Sequence, residues 1–517
     1  MRRTRTSLLA GLVLVTAACG TTVPQQQIGQ PQPGQVQAST SALQPPGSQP
    51  GTAGDITTGV GANGPAASLG QDSGGTTASG STTTSAQRPT SILSTIPLTG
   101  PGWDAKNVYV GVPTADDLNA VVKANGGNAN VGDAKGEILA LAADINRSGG
   151  LLGRQVVVVF HNASSADYAY QPAQTAQEMC TYFTQDRPVI AMVNSAAQLD
   201  GAPNYRACLE RAGVSLFTQS SEDFNDQDYL KPGPHLWTVA ALSVDTLVPA
   251  FLAALNRQHF FDGWDTTTGQ PGKAPAKVGI LEPDTPGGHH VAALMKAGLA
   301  RLKIAFGTDF YYDSSGLGSK SQSEVLQFKA AGVTHVLDMP PVALEIWLFQ
   351  KSAENQHYRP RYGYTSYDLG RSMEENPNIV PLVQQVGSIG IGWMPYLDTD
   401  AQKDPGPTPG SKRCFATLAR AGYRFDSSQR TAAFTALNFC DIFYLLRDGV
   451  RAGHGFKGNA LLKGVAAAGP GFPAATPFGS AISASDHGLP GFYRDIAFQA
   501  GCMCWAYTSK TNHLFSR

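Results

Sequence analysis

Residues 145–160 read INRSGGLLGRQVVVVF. This stretch contains the end of a predicted helix, followed directly by a predicted strand. Apolar residues up to this point recur at the spacing of one helix face: Ile138, Leu141, Ala142 and Ile145. This spacing predicts an amphipathic helix, and Gly149 and Gly150 are suited to end it. The run VVVVF at 156–160 then predicts a strand that is apolar on both faces, as in a parallel sheet covered by helices on both sides.

The same alternation of strand and helix continues through most of the chain. Apolar runs predict strands at 189–193, 214–217, 278–281, 310–312, 336–339, 362–364 and 496–507. Helical spacing predicts helices at 176–183, 203–212, 291–302, 324–331 and 343–356, and a long helix around 433–443. Two such series predict an α/β fold with two doubly wound parallel-sheet lobes.

The length of the chain and its net charge limit the number of lobes and the kinds of partner that we expect. A chain of 517 residues is too long for a single hydrophobic core, which also favours more than one lobe. Its 38 basic and 39 acidic residues give a net charge of −1. Because nucleic-acid binding depends on neutralising phosphates with Lys and Arg, we expect no nucleic-acid partner.

The first residues have the layout of a secretory signal. A basic start is followed by the apolar run 8–15 and by small residues at 16–18, directly before Cys19. The apolar run is far shorter than the roughly 20 residues that span a bilayer. A cysteine at the cleavage point resembles the lipobox of bacterial lipoproteins. This implies a signal peptide over 1–18, acylation of Cys19 with fatty acids such as palmitate, and anchoring at the extracytoplasmic face of the cell membrane. An ordinary signal peptide with an incidental cysteine is the alternative.

The segment after Cys19 differs in composition from the rest of the chain. Residues 20–99 are mostly Gln, Pro, Gly, Ser, Thr and Ala, and no aromatic residue occurs before Trp103. Such a segment cannot bury enough apolar surface to offset its chain entropy. We predict a lipidated, disordered tether over 19–104 with a span on the order of 50 Å. An O-glycosylated stalk is equally compatible with this composition.

The stretch around 145–160 resembles the type I periplasmic binding proteins, in particular the leucine/isoleucine/valine-binding branch, whose members commonly read I-N-x-x-G-G-(I/V)-x-G-R-x-(V/I) here. The resemblance implies two lobes joined by three crossover strands, which close on a small molecule and deliver it to an ABC permease. It implies lobe 1 over 105–236 and 393–486, and lobe 2 over 237–392 and 487–517. No cofactor is expected.

Candidate ligand residues follow from the rule that open parallel sheets bind ligands beyond the carboxyl ends of their strands. In lobe 1 the candidates are Ser195, Ala196, Ala197, Thr218 and Ser220. In lobe 2 they are Asp284, Asp338, Tyr367 and Asp368. Hydroxyls and N–H groups at helix N-termini suit a carboxylate, whereas Asp338 or Asp368 suits an ammonium group and Tyr367 an apolar side chain. Ser and Thr before helices also serve as helix caps.

The resemblance implies that Ser195 and Thr218 hold an α-carboxylate. The family often has Tyr-Gly after the first strand of the second lobe, whereas this chain reads PGGHH at 286–290. The expected ligand is therefore an amino acid or a related amide or amine, not specifically a branched-chain amino acid.

The cysteines and histidines indicate structural roles, and not catalysis or metal binding. Six cysteines follow Cys19, an even number that favours disulfides in an exported protein although 15 pairings exist. We pair Cys180 with Cys208 and Cys414 with Cys440, and leave the pairing of Cys502 and Cys504 open. His289 and His290 are adjacent and point to different sides, so we expect no metal site, since zinc needs converging ligands.

Exported α/β proteins also include hydrolases and ligand sensors. An exported hydrolase needs a nucleophile, and the Gly-x-Ser-x-Gly elbow is missing from residues 105–517, so we expect a protein that is not an enzyme. A ligand sensor or regulator of envelope enzymes on the same fold is the second alternative, which sequence does not separate from a transport protein.

Overall fold

The computed structural model describes residues 96–120, 130–194, 197–200, 202–219, 225, 226, 228, 236–313, 318–339 and 343–515. The predicted signal peptide, Cys19 and most of the predicted tether lie outside the described residues. The last part of the predicted tether packs against the fold: the Arg154 guanidinium and the Trp103 indole N–H both donate to the carbonyl of Pro97, at 3.0 and 3.1 Å. The Trp103 ring also contacts Phe456. The folded part of the chain therefore begins some residues before 105.

The first sheet has five parallel strands in the order β2-β1-β3-β4-β5. They are β1 (Asn107–Thr114), β2 (Gln155–Asn162), β3 (Ala191–Asn194), β4 (Ser215–Thr218) and β5 (Leu236–Thr238). The helices between them are α1 (Ala134–Arg147), α2 (Ser165–Tyr170), α3 (Pro172–Thr181), which continues into a π-helical turn (Tyr182–Asp186), α4 (Ala197–Asp200) and α5 (Pro203–Arg211).

The second sheet follows in the chain, with strands in the order β14-β13-β12-β11-β10-β8-β9. Its parallel strands are β8 (Lys277–Pro283), β9 (Ala305–Tyr312), β10 (His335–Asp338), β11 (Arg361–Tyr364) and β12 (Ile389–Gly392), and a small hairpin precedes them, β6 (Trp264–Asp265) and β7 (Gln270–Pro271). The helices are α6 (Val244–Arg257), α7 (Pro286–Leu302), α8 (Ser321–Ala330), α9 (Leu344–Asn355), α10 (Gly370–Glu375) and α11 (Pro395–Asp398), with 3₁₀ turns at Ser366–Asp368 and Leu382–Gln385.

The chain then returns to the first sheet before it ends in the second. Helices α12 (Pro409–Arg420), α13 (Arg430–Gly453) and α14 (Gly458–Ala468), with a 3₁₀ turn at Gly469–Gly471, share a core with β1 and α1. Strands β13 (Phe492–Gln499), β14 (Cys504–Tyr507) and β15 (His513–Leu514) complete the second sheet. The chain thus passes between the sheets three times, between β5 and α6, between β12 and α12, and between α14 and β13.

The predicted α/β architecture with two sheets is confirmed, and two local predictions are wrong. Residues 156–160 form an edge strand, in which Val156 is buried and the following residues are only half-buried, because a helix layer cannot fully cover the outermost strand. Residues 496–507 are not one strand: β13 and β14 form an antiparallel hairpin, whose turn includes Met503 with a φ of 52°. The second sheet is therefore parallel only from β8 to β12.

The structure brings both predicted cysteine pairs to disulfide distance. The Cα atoms are 6.2 Å apart in Cys180–Cys208 and 5.7 Å apart in Cys414–Cys440, within the range of disulfides. In the β13–β14 turn, Cys502 and Cys504 also lie at disulfide distance, with Cα atoms 5.2 Å apart. Oxidation of these pairs stays a prediction. Among the described helices, none is both long and apolar enough to cross a membrane.

Candidate ligand-binding site

The carboxyl ends of the parallel strands of both sheets meet at the first crossover, residues 239–243. We call the carboxyl ends of β1–β5 the first edge and those of β8–β12 the second edge. The crossover leaves the first edge at Thr238, whose hydroxyl donates to the carbonyl of Ala241 at 2.9 Å. Two side chains of the second edge bond to the same crossover: the Trp393 indole N–H donates to the Ala240 carbonyl at 2.9 Å, and the Tyr367 hydroxyl accepts the Leu242 N–H at 3.3 Å. A ligand at this position would have polar groups of both lobes within reach.

The first edge contains a buried hydrogen-bond network centred on Asp200. The side-chain amide of Asn194, at the end of β3, and the hydroxyl of Thr218, at the end of β4, both donate to the Asp200 carboxylate at the end of α4. All three residues are fully buried. Because the Thr218 proton is directed to Asp200, this hydroxyl is not a donor for the carboxylate of a ligand.

Gln219, like Asn194 and Asp200, is a residue of the first edge that the sequence candidates did not include. It follows Thr218 directly and is only 2% exposed, and neither its amide nitrogen nor its amide oxygen has a hydrogen-bond partner among the described residues. A buried amide without partners costs free energy, and a ligand can provide both a donor and an acceptor. The signal in the sequence was a polar residue immediately after a buried strand.

The other predicted residues of lobe 1 are not placed by the structure. Ser195, Ala196 and Ser220 lie outside the described residues, and Ala197 is described only as the start of α4. Their roles in ligand binding stay predictions.

The second edge contains a pair of buried carboxyls. Asp338 ends β10 and Asp368 lies in the turn after β11, and both are almost fully buried. Burial, together with the neighbouring carboxyls of Asp368 and Glu282, raises the pKa of Asp338 well above its usual range. Asp368 accepts hydrogen bonds from the backbone N–H and the hydroxyl of Thr365, at 2.6 and 3.2 Å, which favour its ionised form. Burial raises the pKa of Asp368 as well, to about 7, so Asp338 is protonated at neutral pH and Asp368 is close to its midpoint. An ammonium group of a ligand would favour the ionised form of Asp368.

Two further predicted residues of lobe 2 contact protein groups. The ring of Tyr367 is buried and packs edge-on against Trp393, with ring centroids 5.1 Å apart, while its hydroxyl bonds to the crossover. Asp284 is exposed, and its carboxylate is hydrogen-bonded to the ring of His289 at 2.8 Å. The adjacent His290 instead pairs with Asp245 at 2.7 Å, so the two histidines have different partners. In the described part of the chain, no three His, Cys, Asp or Glu side chains converge in the way that a metal ion needs.

The second crossover is held from both lobes at the short helix α11. On the lobe 2 side, the buried Asp398 carboxylate accepts the Ser366 hydroxyl and the Met394 N–H, at 3.0 and 2.9 Å, and the hydroxyls of two tyrosines as well, those of Tyr364 and Tyr507. Burial raises the pKa of Asp398 to about 7 although these donors favour the charged form. On the lobe 1 side, the Arg430 guanidinium donates to the carbonyl of Pro395 at 2.8 Å.

The fold is shared with solved structures, whereas no protein family model and no curated protein matches the sequence. A branched-chain amino acid ABC transporter protein from Thermus thermophilus with bound valine superposes with a TM-score of 0.54 at 12% identity, over 79% of this chain and 96% of that one. A fatty acid ABC transporter substrate-binding protein from Thermomonospora curvata has a TM-score of 0.54 at 12% identity, over 80% and 94%. A type 1 periplasmic binding protein from Bordetella pertussis has a TM-score of 0.52 at 12% identity, over 79% and 98%.

The likeness covers 79 to 80% of this chain and spans nearly the whole length of each of these proteins. The chain therefore has the fold of the type I periplasmic binding proteins.

Proposed function

We propose that this chain is the extracytoplasmic substrate-binding protein of an ABC importer, which captures a small molecule between two lobes by hinge closure. The observation that carries the proposal is the buried, unpartnered amide of Gln219 at the first edge, close to a crossover that also bonds to the second edge. A ligand that bridges both edges stabilises the closed state, since it makes contacts there that the open state lacks. A permease then recognises the closed shape.

The ligand class follows from the polar groups at the two edges. The buried amide of Gln219 at the first edge favours a ligand that offers both a donor and an acceptor, and the Asp338–Asp368 pair at the second edge favours an ammonium group. We infer an amino acid amide, an amine or an amino acid as ligand. Proteins with the same fold were solved with leucine, valine and 4-hydroxybenzoic acid, and another is a fatty acid transporter protein, so the fold itself accommodates several classes of small molecule.

The proposal includes an anchored location. A lipid on Cys19 and the polar segment up to about residue 95 would keep the binding domain near the permease. Near-zero net charge agrees with a search by tethered diffusion, because long-range steering needs a large field.

The experiment begins with a thermal-shift screen of amino acids, their amides, amines, polyamines and sugars on the chain without its first 19 residues. A bound ligand raises the melting temperature by mass action. Calorimetry on the best compound then compares the wild type with Gln219→Leu and with Gln174→Leu, an exposed control on α3. We expect Gln219→Leu to bind at least tenfold more weakly, about 1.4 kcal/mol, without a loss of stability, because leucine removes the buried unpaired amide. Equal affinity in both variants would remove Gln219 from the site.

A second candidate, a sensor or regulator that does not transport, is favoured by one observation. Thr218, Tyr367 and Asp368 all make hydrogen bonds to protein groups, as expected where protein side chains fill a cleft. In that case no compound of the screen shifts the melting temperature, and deletion of the gene leaves solute uptake unchanged.

A further inference from the structure

Arginines from three helices of lobe 1 lie around the side chains of Tyr444 and Asp144. The guanidinium carbons of Arg413, on α12, and Arg447, on α13, lie over the Tyr444 ring, 3.7 and 4.9 Å from its centroid. The Tyr444 hydroxyl donates to the carboxylate of Asp144, on α1, at 3.2 Å, and this carboxylate binds two further arginines. A fifth arginine follows Arg447 by one helical turn. We call these five residues the arginine cluster: Arg147, Arg413, Arg420, Arg447 and Arg451.

The carboxylates that pair with the cluster are fewer than its arginines. Arg147 and Arg420 share the carboxylate of Asp144, at 3.1 and 2.9 Å, and Arg447 pairs with Asp448 at 2.7 Å. Each guanidinium keeps its positive charge at any physiological pH. Two carboxylates against five guanidinium groups therefore leave an excess of positive charge where α1, α12 and α13 meet.

Arg413 is the half-buried member of the cluster that has no ionic partner. In the described part of the chain no ion pair involves Arg413, and its buried Nε has no hydrogen-bond partner there. Burial lowers the pKa of Arg413, and the positive charge of Arg447 lowers it further. A bound anion would satisfy the Nε and offset the repulsion between the two guanidinium groups.

The acidic side chains nearby are not free to fill this role. Asp448 is paired with Arg447, and the buried carboxylate of Asp441 accepts two backbone N–H groups, at 2.6 and 2.8 Å. The surrounding segment is basic as well, because residues 409–468 contain nine Lys and Arg but three Asp and no Glu. A ligand from outside the chain is thus the remaining source of negative charge for Arg413.

The chemistry of the cluster favours a phosphate group as this ligand. The planar guanidinium binds two oxygens of a phosphate or a carboxylate at once. A phosphate monoester carries about 1.5 to 2 negative charges at neutral pH, whereas a carboxylate carries one. Because several arginines act together on a single anion, the doubly charged group gains more from their field.

From the unpaired guanidinium of Arg413 and the excess of arginines around it, we infer that the arginine cluster is a binding site for a doubly charged phosphate group, separate from the ligand site between the two edges. Arg413 binds the phosphate oxygens, and the other four arginines attract the anion by their charge. This inference does not depend on the proposed function, since it uses no residue of either edge. Inorganic phosphate and the monoester headgroup of phosphatidic acid share this chemistry.

The first test uses the wild-type chain over residues 20–517, which contains every described residue. Phenylglyoxal modifies accessible arginines, and peptide mass spectrometry locates the products. Inorganic phosphate at several times its dissociation constant should slow the modification of Arg413 about fivefold, compared with chloride at equal ionic strength, because the bound anion shields the guanidinium. Acetate should protect it much less. Arg211, exposed on α5, is the internal control and should react equally fast in all three salts.

The second test compares how much inorganic phosphate raises the melting temperature of each variant relative to the same variant in chloride. Arg413→Gln should lose this rise, and Arg413→Lys should keep only part of it, since lysine retains the charge but not the planar fork. Arg211→Gln removes the same charge elsewhere on the lobe and should keep the full rise. Gln219→Leu should keep it as well, which separates this site from the one between the edges.

Flotation with vesicles separates the two sources of phosphate. If the natural ligand is a lipid headgroup, vesicles of phosphatidic acid and phosphatidylcholine bind the wild type and not Arg413→Gln, and vesicles of phosphatidylcholine alone bind neither. If it is a free phosphate, neither vesicle binds while inorganic phosphate still protects Arg413. Both results support the inference. It is overturned if inorganic phosphate does not protect Arg413, if acetate protects it equally well, or if Arg413→Gln shows the same rise in melting temperature as Arg211→Gln.

Discussion

The backbone N–H of Leu242 donates to the hydroxyl of Tyr367 across 125 positions of the sequence, at 3.3 Å. This bond ties the first crossover to the second edge in a buried environment. Tyr367→Phe removes the acceptor and leaves a buried N–H without its partner, so we expect the free energy of unfolding to fall by about 1 kcal/mol. Urea denaturation of the two proteins measures the change.

Tyr182→Phe is the matched control for this experiment, since Tyr182 stacks on His161 and its hydroxyl makes no hydrogen bond among the described residues. Its stability should equal that of the wild type. If Tyr367→Phe were as stable as Tyr182→Phe, the bond to Leu242 would not hold the crossover.

Asp398 anchors α11 to the second lobe through buried hydrogen bonds. Asp398→Ala leaves the hydroxyls of Ser366, Tyr364 and Tyr507 and a backbone N–H without their acceptor, and we expect a loss of about 3 kcal/mol in the free energy of unfolding. Asp398→Asn keeps one acceptor oxygen and should lose less. Asp262→Ala, at an exposed aspartate, is the control. Equal denaturation midpoints for Asp398→Ala and Asp262→Ala would contradict this role.

Glu137 makes the stability of the first lobe depend on pH. Burial is the main cause that raises the pKa of Glu137 to about 8, from an ordinary value of 4.5, and the nearby Asp133 adds to it. Between these two values the unfolded chain loses the proton while the folded chain keeps it, so stability falls as pH rises, by at most about 1.4 kcal/mol for each pH unit. Above pH 8 the folded chain ionises as well and the fall ends.

Glu137→Gln has no proton to lose at this position, so its stability should not decrease with pH in this way. The free energy of unfolding of the variant, minus that of the wild type, should therefore grow from pH 5 to pH 8. Denaturation curves at pH 5, 6.5 and 8 measure this difference. Asp186→Asn, at an exposed carboxyl, is the control. Its difference in the free energy of unfolding from the wild type should be the same at all three pH values. A difference for Glu137→Gln that stays constant or shrinks over this range would refute the assignment.

The predicted bridge between Cys414 and Cys440 joins α12 to α13 across 26 positions. If the bridge forms, the double variant Cys414→Ala/Cys440→Ala should lose about 3 to 4 kcal/mol of stability by the chain-entropy model. Mass spectrometry after alkylation of the denatured, exported protein provides a direct check. It should find six cysteines without the alkyl group before reduction and six alkylated cysteines after reduction. Alkylation of Cys414 without reductant would show that Cys414 and Cys440 are not bonded.

The proposed lipid anchor depends on Cys19. Cys19→Ala should release the protein from the membrane fraction and remove the mass of the acyl groups from the mature chain. Ser41→Ala, in the predicted tether, should leave both unchanged. If the Cys19→Ala protein stayed in the membrane fraction, another part of the chain would have to hold it there.

The sequence by itself determined the alternation of strands and helices, the two-sheet architecture and the partners in two cysteine pairs brought to disulfide distance. The strands and helices depend on local periodicity and on turn residues such as Gly149 and Gly150, which act within a few positions of the chain. Only the tertiary structure decided that 156–160 form an edge strand and that 496–507 fold into a hairpin, because strand order and pairing depend on contacts between distant segments.

The candidate site also combines features that the sequence predicted with features that only the tertiary structure decided. The rule on strand ends located the loops of both edges from sequence, but it did not show that the Thr218 proton is directed to Asp200, that Asp338 and Asp368 lie side by side, or that the Gln219 amide is buried without a partner. Which polar group is satisfied by the protein and which is left for a ligand depends on side chains brought together from separate strands. That information is set by packing and not by any local pattern of residues.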